Sequence, residues 1–194
     1  MAEQLELKRQ IFAALEVAAP GVPLATNTSS FRVDEVSARV RARSRVLALH
    51  FFNPAPAVRL VEVVGGAESD PSLVARGHVW ARGLGKVSVG CRDEPGFLVN
   101  RLLIPYLNDA IPACAAAAVA PAAADACVRD ELGHPMGPFE LMDLIGLDVM
   151  VSALETMQRG LGSDRYAPAV RLRTLVAQGR LGRKTGAGFH DYAV

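Results

Sequence analysis

Val46-Leu47-Ala48-Leu49-His50-Phe51-Phe52-Asn53-Pro54 and, beyond a short Pro-rich turn, Leu60-Val61-Glu62-Val63-Val64 decide how this chain is read. Each is a short apolar run bounded by turn residues, the pattern of a buried β-strand. The first delivers an imidazole, His50, at its tip. The second carries one carboxylate, Glu62, inside an otherwise aliphatic run. Adjoining strands can lay that carboxylate against the imidazole, which orients a histidine and holds it ready to take a proton.

Outward from this pair, strand and helix patterns alternate. Glu3 to Ala18 places Leu7, Ile11, Leu15 and Ala18 at a helical period, and Pro20-Gly21 closes that helix. Val22 to Thr26 reads as a strand ending in the polar turn Asn27-Thr28-Ser29-Ser30. A short helix is expected over Val33 to Val40, a helix over Pro71 to Leu84 and a strand over Lys86 to Gly90. Such alternation predicts an α/β lobe with a parallel sheet and crossover helices. From Pro95 the pattern is helical only: Phe97 to Ala118, interrupted at Pro112, then Pro121 to Leu132 and one or two helices over Phe139 to Leu161. A Gly/Lys/Arg-rich tail follows, Gly179 to Tyr192. The expected domains are residues 1–93, α/β, and 94–194, all-α. Ligands bind beyond the carboxyl ends of strands in an open parallel sheet, so Ser29, His50 and Asn53 mark the expected site.

The bulk composition is that of a soluble globular chain: 194 residues, 51% hydrophobic and 21% charged. A net charge of +1 gives nucleic acid no basic face to bind. Cys91, Cys114 and Cys127 stand at wide spacings that suit neither zinc nor a disulfide framework, so they read as packed thiols in a reducing compartment. The start of the chain is acidic and lacks an apolar signal core, and the most apolar run, Ile111 to Ala124, holds two prolines. A cytoplasmic protein with no metal is expected.

The motifs together resemble the 3-hydroxyacyl-CoA dehydrogenase family. They are Thr26-Asn27-Thr28-Ser29-Ser30, the His50 and Glu62 runs, Pro95-Gly96-Phe97-Leu98-Val99-Asn100-Arg101, His134-Pro135-Met136-Gly137-Pro138 and Gly182-Arg183-Lys184-Thr185-Gly186-Ala187-Gly188-Phe189. The resemblance implies a partial Rossmann-like lobe followed by a helical dimerisation domain, with NAD as cofactor and an acyl-CoA thioester as substrate. It implies His50 as catalytic base, Glu62 as its carboxylate partner, Ser29 as the hydroxyl on the reacting oxygen and Asn100 as an asparagine positioning base and substrate. By the same resemblance Glu3, Lys8, Asn27, Ser29, Asn53 and Lys184 lie at NAD-contacting positions. The residues themselves also allow plainer readings. Ser29 suits the cap of the next helix, Asn53 a turn before Pro54, Glu3 and Lys8 a solvated helix face, Lys184 a surface cation. His78 reads as a helix-surface residue and His134 as part of a turn, and His190 stands where the family commonly has an aromatic.

The glycine-rich phosphate turn of complete family members has no counterpart here. Gly83-Leu84-Gly85-Lys86 follows a helix instead of a strand, and Val64-Gly65-Gly66-Ala67 lacks the third glycine. Weak NAD binding with self-association, or a second polypeptide completing the nucleotide half, is the resulting expectation. The alternatives are a dehydrogenase acting on a carrier-bound acyl chain, and a non-catalytic scaffold that keeps only the dimerising helices.

Overall fold

The computed structural model describes residues 4–29 and 31–192, so Glu3 lies outside the described residues. The chain forms two compact units, Met1–Val99 and Asn100–Val194.

In the first unit β1 (Leu24–Thr26), β2 (Val46–Phe51), β3 (Leu60–Gly65) and β4 (Val87–Cys91) make one sheet in that order. β1 and β2 run parallel, as do β3 and β4, but β2 and β3 are antiparallel. The expected parallel-sheet lobe is thus present, with one antiparallel pair, β2–β3, within it. Only residues 52–59 join β2 to β3, too few for the crossover of about a dozen or more that a parallel connection requires.

Alternation along β2 and β3 sorts their side chains onto two faces. Val46, Ala48 and Val64 pack with Phe12, Leu24, Val33, Val36 and Phe97, on the side of α1 (Leu5–Ala18) and α2 (Val33–Val36). Leu47, Val61 and Val63 pack with Leu73 and Ala81 of α3 (Pro71–Gly83). α3 starts where Pro71 sets the first helical turn and the Asp70 carboxylate accepts the Ser72 N–H at 2.8 Å. Leu7, Ile11 and Leu15 do share a face of α1, but that face is open: they are 42, 46 and 40% exposed, and Phe12 is the residue the helix buries. α2 is shorter than its apolar pattern, because the chain turns at Ser37, whose carbonyl takes the Val40 N–H at 2.8 Å.

The second unit is helical: α4 (Val99–Ala116), α5 (Pro121–Ala126), α6 (Pro138–Ile145), α7 (Leu147–Leu161) and α8 (Val170–Ala177). α4 runs through Pro112 without ending, which corrects the expected interruption; Pro112 is exposed, so the helix can accommodate it without disturbing the core. The pattern over Phe139 to Leu161 divides at Gly146, whose φ of 103° only glycine adopts readily. α5 continues into one wider helical turn, Cys127–Glu131. α8 has no counterpart in the sequence reading, since Leu172 is the one residue it buries. Leu107, Phe139, Met142, Leu147, Met150 and Leu154 form the centre of this core.

Two buried aspartates organise the second unit. Asp125 accepts the N–H groups of Phe139 (Oδ1, 2.8 Å) and Glu140 (Oδ2, 3.0 Å) at the start of α6, and His190 Nε2 lies 2.7 Å from the same Oδ2. Asp143 accepts the N–H groups of Phe189 and His190, both at 2.9 Å, and the Tyr192 hydroxyl at 3.0 Å. Burial, and then the charge of Asp143, push the Tyr192 phenol up to about 12, so it remains a donor. Gly182 and Gly188 of the tail lie against Asp143: a Cβ on Gly182 would sit 2.8 Å from the Asp143 Cα, at a φ of 93°. Gly182→Ala is expected to lower the unfolding free energy by about 3 kcal/mol in urea titrations. Gly179→Ala, at a left-handed φ of 74° but in open space, should cost only about 1–2 kcal/mol.

Candidate active site

His50 and Glu62 face each other directly across β2 and β3, in register. Directly opposed residues project on the same side of a sheet, and His50 Nδ1 lies 2.6 Å from Glu62 Oε2. His50, expected at a strand tip, is the penultimate residue of β2, where the ladder to β3 holds its backbone beyond the end of the β1 ladder at Ala48. Both side chains are out of water, at 3% and 0% exposure.

A carboxylate buried this completely is stable as an anion only when its oxygens are matched by donors. The second oxygen of Glu62, Oε1, accepts the backbone N–H groups of Leu98 (3.0 Å) and Val99 (2.8 Å). These amides are aimed by the turn before them, in which Gly96 and Phe97 both adopt left-handed φ values of 79° and 47°. For phenylalanine that conformation is strained, at about 1–3 kcal/mol. The Phe97 ring is 4% exposed and lies 5.7 Å from the imidazole, with Phe52 at 4.5 Å.

The other ring nitrogen meets a hydroxyl: Ser29 Oγ lies 3.0 Å from His50 Nε2. An ionised Glu62 requires the proton on Nδ1, which leaves the Nε2 lone pair facing Ser29 and makes Nε2 the basic atom. Thr28, fully buried, closes a turn in the loop ahead of α2, its Oγ1 accepting the Phe31 N–H at 3.0 Å. Ser29, His50 and Glu62 therefore form one chain of bonds between a surface loop and the backbone of 98–99. Such a chain can serve either a nucleophilic serine or a base directed at a substrate hydroxyl.

The remaining candidates are more dispersed. Asn27 Oδ1 accepts the Phe51 N–H at 2.9 Å and ties the end of β1 to the end of β2. Asn53 is exposed at the head of the 53–58 turn. That turn is gathered by Lys86, whose ammonium donates to the carbonyls of Ala55 (2.6 Å), Pro56 (3.2 Å) and Val58 (2.9 Å). Lys8 is half-buried on α1. Asn100, in the first turn of α4, and Lys184, ion-paired with Asp148, belong to the second unit. His78 is not a plain surface residue, since its Nδ1 lies 2.9 Å from Ser88 Oγ. Among the described residues no cluster of His, Cys, Asp and Glu could hold a metal ion, and no helix is long and apolar enough to cross a membrane. The sequence reading missed the Leu98 and Val99 amides, Lys86 and Asp93. Backbone donors have no side-chain signature; the Pro95-Gly96 turn was their one trace.

Residues 1–94 match the 3-hydroxyacyl-CoA dehydrogenase NAD-binding domain, and residues 96–192 the C-terminal domain of the same enzymes. The chain belongs to the 3-hydroxyacyl-CoA dehydrogenase family. A probable 3-hydroxybutyryl-CoA dehydrogenase of Bacillus subtilis is 38% identical over 99% of this chain and 67% of its own length. FadB2 of Mycobacterium tuberculosis superposes with a TM-score of 0.95 at 40% identity, covering 100% of this chain and 69% of that one. The (S)-3-hydroxybutyryl-CoA dehydrogenase PaaH1 of Ralstonia eutropha gives 0.94 at 34% identity, with 100% and 69% covered. The chain thus spans about two thirds of the length of these relatives. The family makes the chain an NAD-dependent oxidoreductase, which favours a base over a nucleophilic serine as the use of the relay.

Cys91 closes β4 near Glu62, and its thiol is pushed up to about 12, chiefly by burial and then by the Glu62 charge. Alkylation near pH 8 followed by mass spectrometry is expected to modify the exposed Cys127 first and to leave Cys91 intact in the folded chain, because only the thiolate reacts.

Proposed function

We propose that this chain transfers hydride between C3 of a 3-hydroxyacyl-CoA thioester and NAD, with His50 Nε2 as the base. The observation that carries this reading is the relay itself: Glu62, anchored by two amides, holds His50 so that Nε2 meets Ser29 Oγ. The surroundings fit a nicotinamide ring, because Phe52 and Phe97 give the imidazole a dry, aromatic neighbourhood at the carboxyl end of β2. When bound, NAD supplies the two-electron acceptor at C3.

The chain's own residues manage the proton. His50 Nε2 takes the proton of the C3 hydroxyl as the C–H bond breaks, and the ring then carries protons on both nitrogens. Glu62 stabilises that imidazolium through Nδ1, without itself being protonated. Ser29 Oγ, already within hydrogen-bond reach of Nε2, is placed to bond the same substrate oxygen. In the reducing direction His50 returns the proton to the carbonyl oxygen. Asn100 is assigned to substrate and base positioning, and Glu3, Lys8, Asn27, Ser29, Asn53 and Lys184 to NAD, on the family resemblance. A cytoplasmic homodimer completes the proposal. Three free thiols support a reducing compartment, and the exposed Leu102, Tyr106 and Val149 of α4 and α7 support burial against a second copy. A scaffold would have no use for a fully satisfied buried acid–base pair, which speaks against the non-catalytic alternative.

NADH consumption by the purified chain with acetoacetyl-CoA tests the proposal. His50→Ala is expected to lower turnover about 10²–10⁴-fold. Glu62→Gln, which presents an amide to Nδ1 and upsets the tautomer, should fall in the same range, at roughly 10²–10⁴-fold. Turnover in folded His50→Ala equal to that of the parent would sink the assignment.

A further inference from the structure

Asp93 stands between β4 and the Pro95-Gly96 turn, and it binds a helix far away in sequence. Its Oδ1 accepts the Val33 N–H at 2.6 Å and its Oδ2 the Asp34 N–H at 3.0 Å. These amides open α2 and have no acceptor within that helix. A helix start is ordinarily capped by its own preceding residue. Here the acceptor lies 60 residues further along the chain. Burial raises the Asp93 carboxyl above the usual range, with the neighbouring Asp34 charge adding to it, while the two amides oppose the rise. A half-buried charge is thus kept at a position where a local Ser or Asn would cap as well.

What α2 follows gives the contact its meaning. The loop between β1 and α2 carries Ser29. It is tied at its β1 end by Asn27 to the Phe51 N–H, and internally by Thr28 to the Phe31 N–H. At its far end Asp93 holds it. The segment that contains Asp93 also presents the Leu98 and Val99 amides to Glu62. One short stretch therefore reaches both nitrogens of His50: directly through the carboxylate on Nδ1, and through Asp93 and α2 to the hydroxyl on Nε2.

We propose that Asp93 is a positioning residue for the proton transfer, clamping the start of α2 to the segment that holds Glu62 and so fixing Ser29 Oγ against His50 Nε2. This rests on the reading of Ser29, His50 and Glu62 as the reacting groups, and its test has a readout that does not need turnover. With ¹⁵N-labelled histidine, the His50 ring signals are assigned by their loss in His50→Gln. They are then compared in the parent chain, in Asp93→Ala and in Asp93→Asn, which keeps one acceptor oxygen. Asp70→Ala serves as control, because it removes an aspartate cap from a different helix, α3. Asp93→Ala is expected to displace the Nε2 resonance and to lower kcat about 10–100-fold with a smaller change in KM. Asp93→Asn should recover most of both, and Asp70→Ala should change neither.

An unmoved Nε2 resonance in folded Asp93→Ala, or one moved equally in Asp70→Ala, overturns the clamp. If Asp93→Ala does not fold, Asp93→Glu shifts the carboxylate by one methylene and is read by the same criterion. A parent chain without turnover would count against the proposed function alone, since the ring spectrum still decides the role of Asp93.

Discussion

The buried charge of Glu62 is the constraint on which the first unit turns. A carboxylate at 0% exposure must find donors or be neutralised, and its three are an imidazole across the sheet and two amides beyond β4. Meeting that demand fixes the register of β2 against β3 and the path of residues 93–99, including a phenylalanine held in the left-handed region. The proposed acid–base chemistry and the sheet architecture thus rest on the same few bonds. A one-residue slip of β2 would put imidazole and carboxylate on opposite faces.

The second unit uses the same device without the chemistry. Asp125 and Asp143 are buried, and each is satisfied by backbone amides from sequence-distant segments. Asp125 caps α6 from α5 as Asp93 caps α2 from beyond β4. Remote carboxylates at helix starts recur in both units as a means of joining segments distant in sequence.

How much of this was legible in the sequence depends on which residues one considers. His50, Glu62 and Ser29 were readable, because isolated polar groups on apolar runs are conspicuous and the family motifs place them in order. The change from mixed α/β to all-α was readable from periodicity. The antiparallel turn between β2 and β3 has only the brevity of residues 52–59 as its sign in the sequence. Asp93, Asp125 and Asp143 were illegible, since nothing near them in sequence tells which amides they will meet. His190 had no assignable role until its partner Asp125 was placed 65 positions away. Leu7, Ile11 and Leu15 gave the helix correctly but not whether its face was covered, since period reports a shared face and not what lies against it.

Because Glu62 is held by main-chain N–H groups of residues 98 and 99, the anion is insulated from drift in the side chains there. Leu98 is 38% exposed, and a wide range of residues could stand in its place while every one of them but proline still offered the same donor. The Glu62 anchorage thus rests on a backbone path more than on particular neighbours. The positions that set that path are Gly96 and Phe97, whose left-handed φ values few other residues adopt without strain.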